Sequence, residues 1–92
     1  MKHIIYILSF LLPFFGGAQN QDLFDKANAF YNDGKYAEAI DNYQAILETG
    51  YHSADLYFNL GNANYKLNNI APSIYFYEKA LILAPNDSDI KA

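Results

Sequence analysis

The sequence repeats itself at an interval of 34 residues, and this interval limits the possible folds more than any other feature. Shifting the chain by 34 residues aligns eight pairs of identical residues. The pairs are Phe24/Phe58, Asn28/Asn62, Ala29/Ala63, Tyr31/Tyr65, Ala37/Ala71, Ile40/Ile74, Tyr43/Tyr77 and Leu47/Leu81. A fixed interval of this size indicates stacked supersecondary units that share one core. The sequence therefore predicts two units, residues 20–53 and 54–87.

Each unit is predicted to contain two helices joined by a short turn. Apolar residues recur at helical spacing on both sides of Asp33-Gly34-Lys35 and of Asn68-Asn69, which are turn sequences. Asn20 is a predicted N-cap of the first helix. Residues 88–92 match the opening of unit two and predict the start of a further helix in a chain that continues beyond residue 92. The buried stripe of the last complete helix is predicted to contain Ile74, Tyr77, Ala80 and Leu81.

The first eighteen residues have the layout of a secretory signal peptide. A short basic start precedes an apolar run from Ile4 to Phe15, and Gly16-Gly17-Ala18 supplies small residues before a polar stretch. The run is shorter than the roughly 20 apolar residues that cross a bilayer. We therefore predict that residues 1–18 are a signal peptide, cleaved after Ala18, and that the protein is exported. An uncleaved membrane anchor is the alternative.

Composition and charge argue against several classes of function. All six basic residues are lysines, and the net charge is −4, whereas proteins that grip nucleic acid present a basic face. There is no cysteine, so thiolate metal sites are excluded. His52 stands alone in the segment between the units, without a catalytic or metal-binding constellation. We expect no enzymatic activity, no cofactor or metal, no small-molecule substrate and no nucleic-acid partner.

The two units resemble the tetratricopeptide repeat, a helix-turn-helix motif of 34 residues. Unit two supplies the pattern Tyr57-x2-Leu60-Gly61, Ser73-x3-Tyr77 and Pro85, and unit one supplies Ala39-x3-Tyr43. The resemblance implies an all-α fold, an α-solenoid of two helix-turn-helix units after the signal peptide. It also implies that the first helix of each unit lines a concave groove that binds a protein or an extended peptide.

The groove positions implied by this resemblance carry matching side chains in both units. They are Phe24, Asn28, Tyr31, Phe58, Asn59, Asn62, Tyr65 and Lys66. Amide and aromatic side chains can together hold a peptide backbone and its apolar side chains. The alternative is that these residues serve helix packing alone. Phe24 occupies the place of the first lysine in repeats that clamp a terminal carboxylate, so a carboxyl-terminal ligand is not expected.

The last helix has apolar residues where the equivalent helix of unit one is polar. Tyr75, Phe76 and Ile82 replace Asp41, Asn42 and Glu48. A helix that is apolar nearly all round is usually buried. We therefore expect that this outer face is covered, either by chain beyond residue 92 or by a partner, and that the isolated chain self-associates through it.

The predicted signal peptide and the segment Glu48 to Leu67 show a narrower resemblance. They are similar to the N-terminus of Bat aerotolerance proteins of the BatE type. The resemblance implies a scaffold in the periplasm of a Gram-negative bacterium, in an oxidative-stress complex, with membrane attachment through residues beyond 92. Two rivals stay open: the periplasmic sensor region of a membrane histidine kinase, and an adaptor for envelope biogenesis. A kinase domain after residue 92 would identify the first, and the factors that copurify from the envelope would identify the second.

Overall fold

The computed structural model describes residues 16–86, which form four α-helices. They are α1 (Gly16–Asn32), α2 (Tyr36–Glu48), α3 (Ala54–Lys66) and α4 (Ile70–Leu83). Each helix packs against the next one in the chain, so α3 lies between α2 and α4. The predicted all-α repeat fold is confirmed for these residues. The predicted further helix at 88–92 and most of the predicted signal peptide lie outside the described residues.

The first helix begins earlier than the sequence predicts. Its first residue is Gly16, so Asn20 lies inside α1 and the N-cap prediction was wrong. The Asn20 amide nitrogen instead donates to Thr49 Oγ1 at 3.2 Å. Thr49 follows the last residue of α2, and its hydroxyl donates to the Ile46 carbonyl at 2.6 Å. This tertiary contact joins the first turns of α1 to the end of α2. Helix propensity within one segment cannot predict a contact between two helices.

The two units turn with the same backbone geometry. Gly34 and Asn68 are separated by the repeat interval and both adopt positive φ, 78° and 63°. Glycine has no Cβ penalty in this region, and asparagine is among the few other residues that enter it readily. The Lys35 amide then donates to the Phe30 carbonyl at 2.8 Å, and the equivalent bond recurs in unit two at 2.9 Å. These bonds satisfy helix C-terminal carbonyls, so the helices of each unit are joined by a matching tight turn.

The core is centred on α3, which contributes buried residues toward both of its neighbours. Leu56, Leu60 and Ala63 are inaccessible to solvent. Ser53 is the N-cap of this helix, and its hydroxyl accepts a hydrogen bond from the Leu56 amide at 3.0 Å. This bond satisfies one of the free N–H groups of the first turn. The other members of the core cluster are Ala27, Ala39, Tyr43, Ile46, Tyr57, Phe76 and Ala80.

Small residues allow the two helices of unit two to approach closely. A Cβ on Gly61 would lie 2.5 Å from the Tyr77 ring. The Ser73 hydroxyl donates to the Gly61 carbonyl at 3.0 Å, which satisfies a buried polar group beside the same contact. Ala27 and Ala39 are the equivalent residues of unit one and are fully buried. The pairs of small residues in the repeat motif therefore lie at the helix crossings, as the resemblance implies.

Two predictions for α4 were wrong. Phe76 is only 9% exposed, and its ring stacks on Tyr57 with centroids 6.2 Å apart, so it belongs to the core and not to the outer face. Ile74 is 52% exposed, although it was expected in the buried stripe. Its equivalent Ile40 packs against the core cluster, to which α3 contributes. Within the described residues no helix follows α4, so Ile74 has no equivalent cover.

Candidate functional site

A cavity of about 280 Å³ opens where α1 and α3 lie side by side. Its lining combines four amide side chains with two phenols and has no charged residue. We call this surface the α1–α3 groove, and its residues are Asn28, Tyr31, Asn32, Tyr43, Asn59 and Asn62. Four of the predicted binding residues meet here: Asn28, Tyr31, Asn59 and Asn62. Ligand sites usually combine a concave shape with a few convergent polar groups, and the groove has both.

The second helix of each unit orients an asparagine of the first. The Tyr43 hydroxyl donates to Asn28 Oδ1 at 2.5 Å, and the Tyr77 hydroxyl donates to Asn62 Oδ1 at 2.5 Å. Both pairs are separated by fifteen residues and are related by the repeat interval. Each amide oxygen accepts a hydrogen bond from a phenol, and neither of these two bonds uses the amide nitrogen, which can therefore donate to a ligand. Each NH₂ group carries two donors.

This orientation decides which ligand groups the groove can bind. Two NH₂ groups at equivalent places in consecutive units can donate to carbonyl oxygens along an extended backbone. Asn59 adds a third amide to the same cavity. A neutral lining gives no attraction to a ligand of high charge, whereas the tyrosine rings offer rigid apolar surface at low entropic cost. The chemistry therefore suits an uncharged, acceptor-rich ligand such as a peptide backbone.

The tyrosines along the groove lie close enough to affect one another. Burial raises the pKa of Tyr43 to about 12, with a smaller contribution from the nearby Tyr31 phenol. Burial also raises the pKa of Tyr77, and the phenols of Tyr31 and Tyr65 act in the same direction. The Tyr31 phenol therefore contributes to the raised pKa of the second-helix tyrosine in both units. The Tyr31 ring also makes an edge contact with Tyr36, with centroids 5.1 Å apart.

The raised pKa values predict that the fold weakens at alkaline pH. The neutral phenols donate the two hydrogen bonds, and tyrosine in an unfolded chain titrates near about 10. A raised pKa in the folded state means that this stability is complete below pH 10 and is lost as pH rises toward the folded value of about 12 for Tyr43. Phenolate absorbance and circular dichroism, followed together, should show Tyr43 and Tyr77 ionising last, with unfolding.

The control for this prediction is the double variant Tyr43→Phe plus Tyr77→Phe. It should lack the late phenolate phase. If the variant retains a late phase of the same amplitude, the raised pKa values belong to other tyrosines and the prediction is contradicted.

The remaining predicted groove residues lie around the cavity and not in its lining. Phe24 makes an edge contact with the Tyr43 ring, with centroids 5.7 Å apart, and the equivalent residue Phe58 makes a tilted contact with the Tyr77 ring, also at 5.7 Å. Both phenylalanines pack against the core cluster and are partly buried. Tyr65 and Lys66 are exposed at the end of α3. The phenylalanines thus pack beside the hydrogen-bonding tyrosines, and Tyr65 and Lys66 do not line the cavity.

Tyr43 lines the groove, although only residues in the first helix of each unit were predicted to do so. Its role could have been found from the repeat itself, because Tyr43 and Tyr77 match in the same frame as Asn28 and Asn62. Two polar pairs at one fixed separation in both units indicate a repeated contact. The sequence does not, however, show which of the two amide atoms the phenol engages.

Two further properties of the described residues concern metal binding and membrane insertion. Residues 16–86 contain no group of three or more His, Cys, Asp and Glu side chains placed to hold a metal ion. None of the helices in that range combines the length and the apolar character that crossing a membrane would require.

Helix pairs stacked at a fixed interval, with a polar and aromatic groove along their first helices, define a helical-repeat interaction scaffold. A family model described as Tetratricopeptide repeat matches residues 24–88, and the chain belongs to this family. Domains of this family bind protein or peptide partners and are typically not catalytic. No curated protein matches the chain.

Proposed function

We propose that this protein holds an extended segment of a partner protein in the α1–α3 groove. The observation that carries the proposal is the repeated pair of hydrogen bonds from Tyr43 to Asn28 and from Tyr77 to Asn62. They hold two amide donors at equivalent places in consecutive units. Tyr31 lines the same cavity and offers an aromatic surface for apolar side chains of the ligand.

We further propose that the protein acts in the cell envelope of a Gram-negative bacterium, on the periplasmic side. The support is the leader layout of residues 1–18 and the similarity of the leader and of residues 48–67 to BatE-type aerotolerance proteins. On this reading the partner belongs to an oxidative-stress complex, and the protein is attached to the membrane through residues beyond 92.

Pull-downs from envelope extract test the groove directly. The wild type and two double variants should be compared: Asn28→Ala plus Asn62→Ala in the groove, and Asp41→Ala plus Glu48→Ala on the outer side of α2. Loss of the partner from the groove variant, with retention by the outer variant, supports the proposal. Loss from the outer variant alone would place the binding surface elsewhere.

The export proposal predicts a mature protein that begins at Gln19. A basic start, an apolar run and small residues before the cut are the features that signal peptidase recognises. Intact-mass measurement of protein from the envelope fraction should find a species that lacks Met1 to Ala18. A dominant species that retains these residues would mean that they form a membrane anchor.

A further inference from the structure

The outer side of α4 carries a surface that repeat stacking does not cover. Tyr75 is 54% exposed and Ile82 is 74% exposed, and they lie seven residues apart on one side of the helix. The equivalent residues of α2 are Asp41 and Glu48, which are exposed although α3 follows them in the next unit. A following unit would therefore leave the equivalent surface of α4 open as well. We call Tyr75, Glu78, Lys79 and Ile82 the α4 outer patch.

Two opposite charges flank the apolar line of this patch. Successive helical residues are about 100° apart, so Glu78 and Lys79 lie on opposite sides of the line that joins Tyr75 to Ile82. Glu78 is exposed, and Lys79 Nζ lies 5.6 Å from the centre of the Tyr75 ring. Each side of the line therefore has one sign of charge, negative on the Glu78 side and positive on the Lys79 side.

This charge order is complementary to a second copy of the same helix in one orientation. When two copies pair in parallel about a two-fold axis, the Glu78 side of one helix meets the Lys79 side of the other, twice. In an antiparallel pair, Glu78 would meet Glu78 and Lys79 would meet Lys79. Charges that flank an apolar seam set the partner and the orientation in this way, and a two-fold interface uses the same patch on both subunits.

Head-to-tail stacking of the repeat units would be a second mode of self-association, but the residues on α1 disfavour it. Head-to-tail stacking would place α1 of one copy on the exposed Ile74 side of α4, as α3 packs on α2. The buried residues Leu56 and Leu60 of α3 correspond to Asp22 and Lys26 in α1, which are both exposed. Charged residues at these positions would be buried without partners, which is costly.

We propose that the protein forms a parallel two-fold dimer through the α4 outer patch, with Tyr75 against Tyr75, Ile82 against Ile82, and Glu78 beside Lys79 of the second copy. This surface is separate from the α1–α3 groove, so the dimer presents two grooves, and the inference does not depend on the proposed ligand. One helix face per copy is a small interface, so the dimer is expected to be weak and its formation to depend on protein concentration.

Cysteine crosslinking tests the orientation, because the chain has no cysteine of its own. The full chain should be made as three single variants, Tyr75→Cys, Ile82→Cys and the control Asp41→Cys, which replaces the α2 equivalent of Tyr75. Parallel pairing predicts that Tyr75→Cys alone and Ile82→Cys alone each form a disulfide-linked dimer, while Asp41→Cys forms no disulfide-linked dimer. Crosslinking only when the two α4 variants are mixed would show antiparallel pairing and overturn the proposal, and so would equal crosslinking of the control.

A charge exchange tests the same interface without a covalent bond. Glu78→Lys alone and Lys79→Glu alone should each weaken the dimer about tenfold or more in sedimentation equilibrium, because like charges then meet across the seam. The double variant Glu78→Lys plus Lys79→Glu should restore dimerisation. All four side chains of the patch lie on the helix surface, and circular dichroism checks that each variant is folded. A wild type that is monomeric at every concentration, or a double variant that is not restored, would refute the parallel dimer.

Discussion

Leu60→Ala is expected to destabilise the fold by about 2–5 kcal/mol, the range measured for removing a large buried aliphatic side chain. Leu60 is inaccessible to solvent and lies in α3, the helix that packs against both α2 and α4. The substitution removes apolar contacts and leaves a cavity between close-packed helices. Because small domains have a total stability of about 5–15 kcal/mol, this loss should unfold a large part of the population at moderate denaturant.

The matched control is Leu83→Ala, at a leucine that is 51% exposed at the end of α4. The substitution removes the same side-chain atoms, but at this position they bury much less apolar surface. The expected loss of folding stability is therefore below about 1 kcal/mol. Urea unfolding followed by circular dichroism compares the two variants. Equal unfolding midpoints for Leu60→Ala and Leu83→Ala would show that α3 is not the centre of the core.

The double variant Asn28→Ala plus Asn62→Ala is expected to weaken partner binding more than tenfold. If the partner lies in the groove as proposed, each substitution removes one amide donor to it, and a satisfied hydrogen bond contributes about 1 kcal/mol. Two such losses amount to about 2 kcal/mol, which exceeds the 1.4 kcal/mol that corresponds to a factor of ten. Isothermal titration with the partner recovered from the pull-down measures the change.

The structure supplies a control that separates binding from folding. Replacing the asparagines also removes the hydrogen bonds from Tyr43 and Tyr77, which costs some stability. The pair Tyr43→Phe plus Tyr77→Phe removes the same two bonds but keeps both amides in the groove. It should bind the partner more tightly than the asparagine pair does. If both pairs lose binding equally, the asparagines act only through the fold, and their assignment to ligand contact is wrong.

The repeat interval made most of the fold predictable from the sequence. It predicted the all-α repeat fold, both turns and the close helix crossing at Gly61, because each of these depends on residues that are close in the chain or matched by the repeat. The turn at Asn68 adopts the same positive φ as Gly34 although the residue differs. Asparagine tolerates this conformation, so the sequence pattern Asn68-Asn69 was a sufficient signal.

What could not be predicted depends on contacts between distant side chains. Phe76 corresponds to Asn42 in unit one and was placed on the outer face, yet it stacks on Tyr57 in α3. Unit one has no equivalent aromatic pair, since Leu23 occupies the place of Tyr57. Asn64 is buried, and its amide is satisfied because it donates to the Leu60 carbonyl at 2.8 Å and accepts from Asn69 at 3.3 Å. The periodicity of the sequence does not predict which residues Phe76 and Asn64 contact.

The groove was predictable in its residue types but not in its chemistry. The repeat aligned the asparagines and the tyrosines, and four of the eight predicted groove residues line one cavity. The contact between the tyrosine hydroxyls and the amide oxygens appears only in three dimensions. This contact leaves the amide nitrogens of Asn28 and Asn62 available to donate hydrogen bonds to a ligand.

Photo-crosslinking from single positions tests the central claim most directly, that the partner lies in the α1–α3 groove. A photoreactive phenylalanine analogue should replace Tyr31, Tyr65 or Tyr75 in separate variants, so that an aromatic ring is kept at each position. Tyr31 lines the groove, Tyr65 is exposed at the end of α3, and Tyr75 lies in the α4 outer patch. We expect the variants at Tyr31 and Tyr65 to crosslink to the same partner protein, and the variant at Tyr75 to crosslink only to a second copy of the chain. A partner adduct from Tyr75, with none from Tyr31 or Tyr65, would contradict the account.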